Sequence, residues 1–112
     1  MPKLLSVIIP ASNEAGYIGA CLSALFASDS VPGAAEAIVV ANGCRDDTAR
    51  RARAYLFEAQ AAGWRLTVIE REQGGKPGAL NAGDAVARGD LRAYLDADVI
   101  VSPGLMAQLV RV

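Results

Sequence analysis

Four short, mostly apolar runs, the first three rich in β-branched residues, alternate along a 112-residue chain with segments whose apolar residues recur at helical spacing. Strands that are apolar throughout need cover on both faces, and a parallel sheet with crossover helices supplies it. The runs are Leu4 to Ile9, stopped by Pro10, then Ala37 to Ala41, Arg65 to Ile69 and Leu91 to Leu95. After the first, Asn13 reads as an N-cap with Glu14 in the first turn. Ile18, Cys21, Leu22, Leu25 and Phe26 then form one stripe, and the helix ends before Val31-Pro32-Gly33. After the second run, Asp46 reads as the cap of a helix burying Ala49, Ala52, Leu56 and Ala59, with Arg50, Arg51 and Arg53 on its wet side. Pro77 suits the first position of a third helix with a small apolar face, Ala79, Gly83, Val86 and Ala87, stopped by Gly89. The expected fold is α/β, a doubly wound and mainly parallel sheet with right-handed crossovers and strand order 3-2-1-4.

At 53% hydrophobic and 21% charged, the chain supports one globular domain over residues 1–112. A net charge of −1 gives no basic face for nucleic acid or an anionic membrane. Cys21 and Cys44 lack CxxC spacing and there is no histidine, which argues against zinc, haem and histidine-based catalysis. Met1-Pro2-Lys3 passes into an apolar run too short for a signal peptide or a membrane span, so a cytoplasmic location is expected. Attachment of a longer protein to the cytoplasmic face of a membrane is compatible with this. Leu105 to Val112 begins like a helix and stops without a cap, so the chain is expected to be the N-terminal piece of a larger protein.

In a doubly wound sheet, ligands sit beyond the carboxyl ends of the strands where strand order reverses. Order 3-2-1-4 puts that reversal between strands one and four, bringing Pro10 to Glu14 beside Asp96-Ala97-Asp98, with Asn42-Gly43 at the flank. Two carboxylates two residues apart at a strand end are hard oxygen ligands for a divalent cation, which in turn grips a diphosphate. The turn after strand one lacks the G-x-G-x-x-G of dinucleotide-binding folds, and Gly74-Gly75-Lys76 is followed by Pro77 rather than the Ser or Thr of a P-loop.

Four segments resemble family 2 glycosyltransferases with the Rossmann-like GT-A fold: SVIIPASNEAGYIGACLSAL at 6–25, IVVANGCRDDT at 38–48, GGKPGALNAG at 74–83 and RGDLRAYLDADV at 88–99. Their order and spacing span almost the whole chain. The resemblance implies a nucleoside-diphosphate sugar as ligand, Pro10, Ala11, Asn13 and Glu14 along a nucleoside pocket, and Asn42 near the base. It makes Asp96-Ala97-Asp98 a D-x-D motif, with Asp98 on Mn²⁺ or Mg²⁺ and Asp96 near the ribose or a metal-bound water. Lys76 would add positive charge near the diphosphate. Where the family often has acidic residues this chain has Ala41-Asn42, so its hydrogen bonding to the base differs. The resemblance also places the catalytic base of an inverting transfer downstream of Val112, so the chain is expected not to transfer sugar alone.

Plainer readings stand beside these. Glu14 suits a helix amino terminus, Asn42-Gly43 is a good turn, and Lys76 in a Gly-rich loop is an ordinary surface residue. A nucleotidyltransferase of similar topology would carry a Gly-rich, Arg-containing loop after strand one, which Pro10 to Glu14 is not. A non-catalytic nucleotide-binding or assembly module is a further alternative. With strand four at a sheet edge, its unpaired backbone invites a homodimer.

Overall fold

A computed structural model describes residues 4–29, 31 and 34–111. Pro32 and Gly33, read as the stop after the first helix, lie outside them, as do Met1 to Lys3 and Val112. The elements run β1 (Leu5–Ala11), α1 (Ile18–Phe26), β2 (Ala35–Asn42), α2 (Thr48–Arg53), α3 (Leu56–Ala61), β3 (Trp64–Arg71), α4 (Lys76–Val86), β4 (Leu91–Tyr94) and α5 (Leu105–Arg111). All strand pairs are parallel and the order is β3-β2-β1-β4.

Alternation along the two central strands divides the core. Leu5, Val7, Ile9 and Ala11 of β1, with Ala35, Ala37 and Val39 of β2, face α1, where Ile18, Cys21, Leu22 and Leu25 are fully buried. Ile8, Ile38 and Val40 point the other way, onto Ala79 of α4. Burying one such Leu or Ile contributes about 1.5–3 kcal/mol, so these two strands hold the sheet together. Ala97, Val101 and Met106 complete the first face.

Several local expectations are corrected. Asn13 is no cap: its backbone is left-handed at φ 53°, and the helix starts four residues after Glu14, whose carbonyl accepts from Tyr17 and Ile18 N–H. The expected single second helix is two. Tyr55 N–H donates to Ala52, three residues back, which tightens the turn and rotates the register. Tyr55 then packs on α1 at Gly19, while Leu56 is left 40% exposed. Helix α4 opens at Lys76, putting Pro77 second, and closes at Val86, before Gly89. Gly89 is instead buried against β1, where a Cβ would lie 2.7 Å from Ser6 N. Strands β3 and β4 are only half-buried, because each is an edge strand with one neighbour.

Candidate functional site

Register brings the site together. Ile8 pairs with Tyr94, and Leu95 N–H donates to Ile8 C=O at 2.9 Å. Groups of residue 10 point toward the same neighbour, but Pro10 has no N–H. The ladder stops there, and the chain turns out through Asp96, Ala97 and Asp98. On the other side Ala11 pairs with Ala41, which delivers Asn42 to the same end of the sheet.

A cleft of about 300 Å³ opens at these carboxyl ends. Pro10, Ala11 and Glu14 line it from β1 and its loop, and Asn42 from β2. Lys76 enters from the first turn of α4, and Asp96, Ala97 and Asp98 close it after β4. Ser12, Gly75 and Ala79 also line it and were not anticipated. Asn13 is the exception among the expected residues. It does not line the cleft, and its side-chain oxygen accepts from Arg45 N–H at 2.7 Å.

That bond belongs to an interlock between the loops after β1 and β2. Glu14 N–H donates to the buried Thr48 hydroxyl at 3.0 Å, and Ala15 N–H to Asp46 Oδ2 at 3.2 Å. The Thr48 hydroxyl donates to Asp46 Oδ1, which also accepts from Thr48 N–H at 3.1 Å. Led by the Thr48 hydroxyl, these donors hold the Asp46 carboxyl below the usual carboxylate range. Cys44 adds a thiol donated to Ala11 C=O and accepts from Asn13 N–H, both at 3.5 Å. Residues expected to cap a helix thus fix the position of Glu14. The only signal in the sequence was the Asp46-Asp47-Thr48 cluster at the start of α2.

Asn42 is 3% exposed and has both ends of its amide engaged. Its oxygen accepts from Arg71 at 2.8 Å and its nitrogen donates to Gly75 C=O at 2.7 Å. Gly43 follows at φ 62°, where a Cβ would meet Gly74 backbone at 3.0 Å, so the turn requires glycine.

At the Asp96-Ala97-Asp98 segment, Lys76 Nζ donates to Asp96 Oδ1 at 2.7 Å with both side chains exposed. Asp98 has no ion pair among the described residues. Beneath them the buried Cys21 thiol donates to Asp96 C=O at 3.9 Å. Burial, and then the charge of Asp98, push that thiol up to about 11. Among the described residues no three His, Cys, Asp or Glu side chains form a metal cluster.

The sequence matches the profile of Glycosyl transferase family 2 over residues 6–112. The chain belongs to glycosyl transferase family 2. It is 37% identical to Glycosyltransferase AglE of Haloferax volcanii over 84% of this chain and 30% of that protein. It is 35% identical to Succinoglycan biosynthesis protein ExoU of Rhizobium meliloti over 96% of this chain and 30% of that protein. The family 2 fold is shared with the mannosyltransferase PcManGT of Pyrobaculum calidifontis, solved with GDP-Man and Mn²⁺. That match has a TM-score of 0.82 and 27% identity over 96% of this chain and 31% of the other. The chain therefore spans about a third of the length of the relatives it matches, and has the nucleotide-sugar-binding fold of GT-A glycosyltransferases. No helix among the described residues is long and apolar enough to cross a membrane.

Proposed function

We propose that residues 1–112 are the N-terminal, donor-binding part of an inverting glycosyltransferase, holding a nucleoside-diphosphate sugar through Mn²⁺ or Mg²⁺ at Asp96 and Asp98. The observation that carries the reading is convergence. Glu14, Asn42 and both D-x-D carboxylates, distant in sequence, line one cleft at the carboxyl ends of the strands. Family membership and the GDP-Man and Mn²⁺ bound by PcManGT support it.

The donor set fits a hard divalent cation. Its ligands are carboxylate oxygens, and Asp96 already pairs with a cation, the Lys76 ammonium. Two carboxylates without a third suit an ion that takes its remaining ligands from phosphate oxygens and water. With Lys76 on Asp96, Asp98 is the principal metal ligand. When bound, the cation neutralises charge that builds on the departing nucleoside diphosphate. The chain's own contributions are placement and charge: Pro10, Ala11 and Glu14 wall the nucleoside side, Asn42 closes its floor, and Lys76 supplies an ammonium beside the diphosphate. The proposed catalytic base lies outside residues 1–112, so the chain alone binds donor without transferring sugar. The edge of β4, with no further strand beside it among the described residues, offers a surface for pairing with a second copy. A cytoplasmic location accords with this use of a nucleotide sugar.

Thermal-shift and dialysis measurements with UDP and GDP, each with Mn²⁺, test the reading. Saturable binding of at least one, with a raised melting temperature, is expected. Failure of both to bind overturns it.

A further inference from the structure

Arg71 lies outside the cleft yet is connected to its far wall. Its guanidinium crosses the first turn of α4, where a Cβ on Gly78 would sit 2.6 Å from the Arg71 Nη1 that donates to Asn42 Oδ1. A guanidinium only donates and a carbonyl only accepts. With Arg71 on one end and Gly75 C=O on the other, the Asn42 amide therefore has one allowed orientation. Gly75 is the residue before α4, at φ 104°, and Lys76 follows it and reaches Asp96 at 2.7 Å. An unbroken path thus runs from the end of β3 through the end of β2 and the Gly-rich loop to the D-x-D.

We infer that Arg71 is a positioning residue for donor binding: by fixing the Asn42 amide it anchors Gly75 and so sets where Lys76 presents its ammonium. This rests on the nucleotide-sugar reading above. Arg71 acts without touching the ligand, and a residue working only through Lys76 loses its effect once Lys76 is gone.

The test is a double-mutant cycle on UDP or GDP affinity in Mn²⁺, using whichever nucleotide the wild-type chain binds. Arg71→Ala is expected to weaken binding about tenfold in the wild-type background and less than about twofold in Lys76→Ala, the non-additivity of coupled residues. Arg71→Lys, which keeps the charge and a donor for Asn42 Oδ1, is expected to stay within about threefold of wild type. Gly78→Ala displaces the guanidinium without removing its charge or disturbing the helix, and is expected to weaken binding in the same direction as Arg71→Ala. Equal losses for Arg71→Ala in both backgrounds, or wild-type affinity in both Arg71→Ala and Gly78→Ala, overturn the inference while leaving donor binding standing. A wild-type chain that binds neither nucleotide overturns both.

Discussion

Gly83 of α4 lies against Ile8 of β1 so closely that a Cβ at position 83 would fall 2.5 Å from Ile8 Cγ2. This contact sets how near α4, and with it Lys76, approaches the sheet. In an exposed helix Gly→Ala gains about 1 kcal/mol of propensity, but overpacking a core costs about 1–3 kcal/mol. Because Ile8 is fully buried with nowhere to yield, the clash is expected to win. With the overpacking cost in the upper part of its range, at about 2–3 kcal/mol, Gly83→Ala should lower stability by about 1–2 kcal/mol net in a urea titration. An unchanged or raised midpoint would show that α4 shifts freely.

Cys21 ties stability to alkaline pH. Its thiol is raised to about 11 in the folded chain by burial and by Asp98, so the folded state holds its proton after the unfolded state has lost it. The contribution is complete below the unfolded value near 9 and is lost as pH rises toward 11. Over that window it amounts to about 2–3 kcal/mol by linkage. Denaturant titrations at pH 8.5, 9.5 and 10.5 should show a steeper loss for wild type than for Cys21→Ala. Parallel curves would mean that the thiol is not coupled to folding.

Thr48→Val removes the hydroxyl that accepts from Glu14 N–H and donates to Asp46. Leaving a backbone donor without its partner costs about 1–3 kcal/mol, and the loop carrying Glu14 loses its anchor. Stability should fall by about that amount and nucleotide affinity should fall with it. Loss of stability with affinity intact would show that the interlock does not position Glu14. Asp46 is held low, so the clamp persists as pH falls until the carboxyl protonates, below the ordinary carboxylate range.

Strand order and the meeting of residues 10–14 with 96–98 were legible because they follow from long-range rules: apolar runs, crossover handedness and the switch point. What escaped was set by local hydrogen bonds between loops distant in sequence. Asn13 has the chemistry of an N-cap, but its oxygen is taken by Arg45 N–H and its backbone is left-handed. Asp46 was expected to cap α2, but the N-cap position is Asp47, and one Asp46 oxygen is turned to Ala15 N–H. The break at Tyr55 was hidden because Ala52, Leu56 and Ala59 suit a continuous helix. Only the packing of Tyr55 at Gly19 distinguishes the two registers. Arg71 carried no signal, since an arginine closing an edge strand ordinarily points to solvent.

The proposed metal bridge at Asp96 and Asp98 is tested most directly by calorimetric titration of UDP or GDP into the wild-type chain and Asp98→Ala, each with Mn²⁺ and with EDTA. Wild type should bind at least about tenfold more tightly with Mn²⁺ than with EDTA, whereas Asp98→Ala should bind equally weakly in both, having lost the ligand through which the ion grips the diphosphate. Equal affinity of wild type and Asp98→Ala in Mn²⁺ would contradict a metal-bridged donor site.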